Sequence, residues 1–151
     1  MTAQYLIFII INVFCYNIEM AVYNKKVKHA ELEFTLIASN RGLAPQIIST
    51  SQIDDKYMIS MEMYPQTLND VAVKYRDKYY QKIYDLVETL HKMGIAHGDL
   101  SEDNIVINFE TGEVRLIDFG MSYLLDGREY LAEFEKQEVG FICGMRRLRY
   151  N

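Results

Sequence analysis

Apolar positions open the chain almost without interruption. Tyr5 to Phe14 reads YLIFIIINVF, and its isoleucine and valine content predicts a buried strand. The run is too short for a membrane-spanning helix, which needs about 20 apolar residues. The start Met1-Thr2-Ala3-Gln4 has no Lys or Arg, so a signal or anchor sequence is the lesser reading. His29 to Ser39 is of helix length and ends near Asn40 and Gly42, with Pro45 forbidding continuation. Gln46 to Thr50 predicts a strand and Ser51 to Lys56 a turn. A second strand follows over Tyr57 to Met63, apolar at 57, 59, 61 and 63 and stopped by Pro65. Tyr80, Ile83, Tyr84, Val87, Leu90 and His91 recur at helical spacing, predicting a long helix over Tyr75 to Met93 that Gly94 ends. Arg128 to Glu138 reads as a shorter amphipathic helix.

Between the last two helices lies the stretch richest in chemistry. His97-Gly98-Asp99-Leu100-Ser101-Glu102-Asp103-Asn104 puts a carboxylate and an amide five residues apart, and Leu116-Ile117-Asp118-Phe119-Gly120 supplies a second carboxylate. The intervening NIVINFETGEVRLID reads as two short strands around a Thr-Gly turn. A hairpin brings its ends together, so Asn104 and Asp118 are expected to meet beside Asp99. Three oxygen-bearing side chains at one place suit a hard divalent cation holding phosphates, with one carboxylate left to orient a nucleophile.

HGDLSEDN followed by IDFG resembles the catalytic loop and metal loop of the protein-kinase superfamily, in which the loops read H-R-D-x-x-x-x-N and D-F-G. Gly98 stands where most kinases carry arginine. The glycine form resembles small atypical kinases such as the KEOPS-complex kinase, and also viral kinase-like proteins. The resemblance implies an α+β, reduced two-lobe fold. Residues 1–63 would form a small antiparallel sheet with helix C, and 64–151 a shortened, mainly helical C-lobe. It implies ATP and Mg as cofactors, Asp99 as catalytic base, and Asn104 and Asp118 as metal ligands. By the same resemblance Glu31, or its rival Glu33, would pair with a lysine that holds the nucleotide phosphates. Lys25 and Lys26 are the best candidates, with Lys28 the other lysine before the helix. YMISMEMYPQTL resembles the last N-lobe strand and hinge. Met61 would then back the adenine pocket, while the backbone of Glu62 and Met63 would bond the adenine edge. His97 would be structural.

Departures from the family pattern shape the functional expectation. The first glycine is Gly42, so no glycine-rich phosphate loop precedes the helix. Ser101 replaces the lysine that neutralises the transferring phosphate in protein kinases. No A-P-E segment follows, which reads as a fold trimmed at both ends. Gly98 removes the arginine that would grip a phosphorylated loop, so control by loop phosphorylation is expected to be weak. The leading expectation is a minimal ATP- and Mg-dependent Ser/Thr-type kinase or ATPase acting on a protein substrate. The alternative is a pseudokinase that binds a host-protein partner or acts as a decoy; a small-molecule phosphotransferase of the aminoglycoside type ranks third.

Length and composition add limits. A chain of 151 residues fits one domain and can bury roughly 70 % of its unfolded surface. A net charge of −5 argues against general nucleic-acid binding, although Arg146-Arg147-Leu148-Arg149 is locally basic. Cys15 and Cys143 fit no metal spacing, which favours free thiols in a reducing compartment, the cytoplasm of the cell or of a host.

Overall fold

The computed structural model describes residues 5–13 and 16–145. These divide into two compact units, Met1–Met63 and Tyr64–Asn151. Phe14, Cys15 and the basic end from Arg146 onward lie outside the described residues.

The first unit is an antiparallel sheet with one helix. Strands β1 (Tyr5–Val13) and β2 (Tyr16–Val27) form a long hairpin, followed by helix α1 (His29–Asn40) and the hairpin β3 (Ile47–Ile53) and β4 (Lys56–Glu62). The strand order is β1-β2-β4-β3. Tyr23 opposes Met61, Lys25 opposes Ile59, and Val27 opposes Tyr57, so these residues share one face. On that face Val27, Ile59 and Met61 pack with Leu32 of α1, flanked by Tyr23, Leu36, Ile47 and Tyr57. The opposite face carries buried Asn24, whose Oδ1 accepts a hydrogen bond from Ser60 Oγ across the strand pair. Gly42, at φ 70, reverses the chain after α1, and the Leu43 amide returns to Ala38 O at 2.9 Å.

The turn expected over Ser51–Lys56 is shorter than the sequence suggested. Ser51, Gln52 and Ile53 continue β3, opposite Met58, Tyr57 and Lys56. Only Asp54 and Asp55 turn, with Asp54 at φ 55. Aspartate tolerates that left-handed geometry, so two residues suffice.

The second unit centres on two helices. Short strand β5 (Gln66–Thr67) precedes α2 (Asp77–Lys92), with Tyr75 in a separate 3-10 turn rather than in the helix. Tyr79, Ile83, Val87, Leu90 and His91 form the buried stripe of α2. Gly94, at φ 78, ends it. Strand β6 (Ile95–Ala96) leads into the segment 97–104, then β7 (Ile105–Ile107), β8 (Val114–Leu116) and β9 (Tyr123–Leu124) follow. The last helix, α3 (Glu129–Ile142), runs four residues past the expected end at Glu138, because Val139 and Ile142 continue its buried face. β5, β7 and β8 form one sheet, and β6 pairs with β9. Among the described residues, no helix is long and apolar enough to cross a membrane.

Candidate functional site

In the first unit, Lys25 and Glu31 meet. Lys25 Nζ lies 3.0 Å from Glu31 Oε2 and 3.3 Å from Oε1, and the two side chains are only 12 % and 13 % exposed. Strand alternation decides which lysine arrives. Lys25 shares its face with Val27 and α1, whereas Lys26 points the other way and is exposed. Glu33, the rival acid, pairs instead with exposed His29 at 3.0 Å. Lys28 is exposed at the helix start. Met61 is 5 % exposed within the apolar cluster, and Glu62 and Met63 are half-buried at and just beyond the end of β4.

In the second unit, the hairpin brings the polar residues together. Asn104 Nδ2 donates to Asp99 O at 2.8 Å and to Asp99 Oδ2 at 3.2 Å. Asn104 O accepts from the Ile117 amide at 3.0 Å, which holds the residue before Asp118 against Asn104. Asp118 sits at φ 64, a left-handed conformation that non-glycine residues seldom adopt, and its Oδ1 accepts from Gly120 N at 3.4 Å. Asn104 Nδ2 is the atom that bonds Asp99, which leaves Asn104 Oδ1 as the oxygen of this amide. Asp118 and Asn104 thus offer hard oxygen donors, the chemistry magnesium prefers, and the residues fit that ion. Among the described residues, no group of three His, Cys, Asp or Glu side chains is placed to hold a metal.

His97 organises both loops. It is fully buried, its Nε2 donates to Ile117 O at 2.8 Å, and its Nδ1 accepts from the Asp99 amide at 3.2 Å. These partners require the neutral ring with the proton on Nε2. Burial holds its pKa below the ordinary 6.5, against smaller raising effects from Ile117 O and nearby carboxylates. An unfolded His97 would take up a proton near pH 6.5 while the folded one does not. Stability is therefore full above that pH and falls as pH drops through it, by up to about 1.4 kcal/mol per unit from this residue. Urea unfolding between pH 7 and 5, compared with His97→Asn, checks this; an equal slope in both proteins would refute it.

Glu135 was not among the expected site residues. This α3 residue is 5 % exposed, yet it is a carboxylate. Oε1 accepts from His97 N at 2.9 Å and from His91 Nε2 at 2.8 Å, and Oε2 accepts from Gly98 N at 2.9 Å. Burial pushes its pKa up, but these hydrogen bonds outweigh that and hold it below its ordinary value. One helix carboxylate thus fixes the backbone on which Asp99 sits. The available signal was spacing, since Glu135 lies on the same helical face as Ala132, Val139 and Ile142. Arg76 was missed for a similar reason. Its Nε donates to Val71 O, and its Nη1 donates to Ile142 O and Glu102 Oε1, joining the start of α2 to the 97–104 segment and the end of α3.

Gly98 has a structural reason beyond the lost arginine. It adopts φ 86, and a Cβ there would lie 2.1 Å from Met121 O. The segment after Gly120 runs directly against it, through β6 pairing with β9 and Leu125 N bonding Gly94 O at 2.8 Å.

A model of the protein kinase domain family matches residues 18–139. The chain belongs to the protein kinase domain family. It is 28 % identical over 123 residues to the serine/threonine-protein kinase PKH2 of Saccharomyces cerevisiae, covering 73 % of this chain and 11 % of that protein. It is 36 % identical over 84 residues to a probable bifunctional tRNA threonylcarbamoyladenosine biosynthesis protein of Methanosarcina barkeri, covering 54 % of this chain and 15 % of that protein. The PK-1 kinase structure of Cydia pomonella granulovirus shares the fold, with a TM-score of 0.59 at 17 % identity, over 70 % of this chain and 44 % of that one. The chain thus spans less than half the length of each of these proteins. The family membership and the α+β kinase-like fold agree with the sequence reading.

Proposed function

We propose that this kinase-family chain transfers phosphate from ATP to a hydroxyl, with magnesium, on a protein substrate. The observation that supports it best is the bonded set of Asp99, Asn104 and the Ile117 amide, which joins the segment carrying Asp99 to the residue before Asp118. Asp99 orients the attacking hydroxyl and accepts its proton. Asn104 Oδ1 and the Asp118 carboxylate hold the ion, which when bound neutralises charge on the phosphates. Lys25, steadied by Glu31, contacts phosphate oxygens. The backbone of Glu62 and Met63, with Met61 behind, receives the adenine. Cys143 is a buried thiol whose pKa burial pushes up to about 11, which keeps it a poor nucleophile near neutral pH.

ATP turnover with and without magnesium tests the reading. Asp118→Ala is expected to abolish magnesium-dependent turnover. Asp99→Asn is expected to lower it by about 10²-fold or more while nucleotide binding persists. No turnover and no Mg-ATP binding by the wild-type chain would reject the proposal.

Two observations favour a second reading, a binding module with little catalysis. Ser101 stands in place of a phosphate-neutralising lysine, and Gly120 is joined to α3 only through Met121–Arg128, which leaves little surface for a peptide. On that reading partner binding survives Asp99→Asn.

A further inference from the structure

His97 grips the metal loop at three points. Its ring donates to Ile117 O, one residue before Asp118. The same ring meets Phe119 edge-on, with centroids 5.0 Å apart, one residue after it. Its carbonyl oxygen accepts from Ser122 Oγ at 2.7 Å. The first two contacts hold the chain beside Asp118, and the third closes the loop from its far side. Phe119 O also accepts from Ser122 N at 3.1 Å, so Ser122 ties the turn both to itself and to the catalytic segment.

We infer that Ser122 is a positioning residue for Asp118, its hydroxyl latching the metal loop onto the His97 carbonyl. Asp118 holds an uncommon left-handed backbone, and such a conformation persists only where its surroundings over-determine it. His97 has no exposure to water, so its carbonyl has no ready substitute for the serine donor. Gly98 permits the latch, because a side chain there would drive Met121 O away and carry Ser122 with it. The consequence for magnesium rests on the proposed phosphotransferase reading; the latch itself does not.

Ser122→Ala and Ser122→Thr in the full chain test it. Without metal or nucleotide, hydrogen exchange of the amides at 118–122 is expected to quicken about tenfold in the alanine variant, the effect of one buried hydrogen bond lost, and to return toward wild type in the threonine variant. The magnesium concentration for half-maximal ATP turnover is expected to rise about tenfold in Ser122→Ala and to recover in Ser122→Thr. A purely structural hydroxyl would lower the unfolding midpoint while leaving magnesium dependence unchanged, and that result would overturn the assignment. So would wild-type exchange at 118–122 in Ser122→Ala. Absence of turnover in the wild-type protein would count against the phosphotransferase reading, and the exchange result would still decide the latch.

Discussion

Glu135→Ala is expected to cost about 3–5 kcal/mol of stability, a large share of what a domain this size possesses. The loss has three parts. The amides of His97 and Gly98 and the Nε2 of His91 all donate to this carboxylate, and truncation leaves all three without it, two of them, on His97 and His91, buried. His91 is the most exposed to the loss, because its Nδ1 already has no hydrogen-bond partner among the described residues. Glu135→Gln keeps one acceptor oxygen but turns an N–H₂ toward a donor, so a loss of about 1–3 kcal/mol is expected. Urea unfolding at pH 7 measures both. A cost under about 1 kcal/mol for the alanine variant would mean that the 97–104 segment is held by something else. Acid should repeat part of the effect, because the pKa of Glu135 is lowered on folding. Its contribution is complete above the ordinary carboxyl value of 4.5 and is lost as pH falls through the lower folded value.

Gly98→Ala is expected to be nearly as damaging, by about 3 kcal/mol or more, for a different reason. Its Cβ would lie 2.1 Å from Met121 O and 2.8 Å from Met121 C, both backbone atoms, so a peptide must move. The left-handed φ of 86 adds its own strain. Gly127→Ala supplies the comparison. Its φ is 80, but nothing lies within 4 Å of the added carbon, so only the conformational cost of about 1 kcal/mol applies. Equal losses at the two glycines would show that contact with Met121 contributes nothing. The arginine common at this position in the family would meet the same clash here.

Much of this architecture was legible because periodicity and punctuation agreed. Asn40, Gly42 and Pro45 closed α1, and Gly94 closed α2. The Thr-Gly turn made the hairpin that carries Asn104 to Ile117. What escaped depended on register. Lys25 and Lys26 are neighbours in sequence, yet a strand sends them to opposite faces, and only pairing with Ile59 and Met58 fixes which one reaches α1. Glu135 escaped because an acid in an amphipathic helix is normally read as its wet side; its partners are backbone amides 37 and 38 residues away in sequence. Gly98 was visible as an absent arginine, but not as a point where two loops touch.

β2 ends at Val27 and α1 begins at His29, leaving Lys28 as the whole connection. The partners Lys25 and Glu31 are therefore bound within a span of six residues. A helix on so short a tether has no slack with which to swing its acid out of reach. The contact is built in by chain connectivity, and a control mechanism that works by making and breaking it would first need a longer joint.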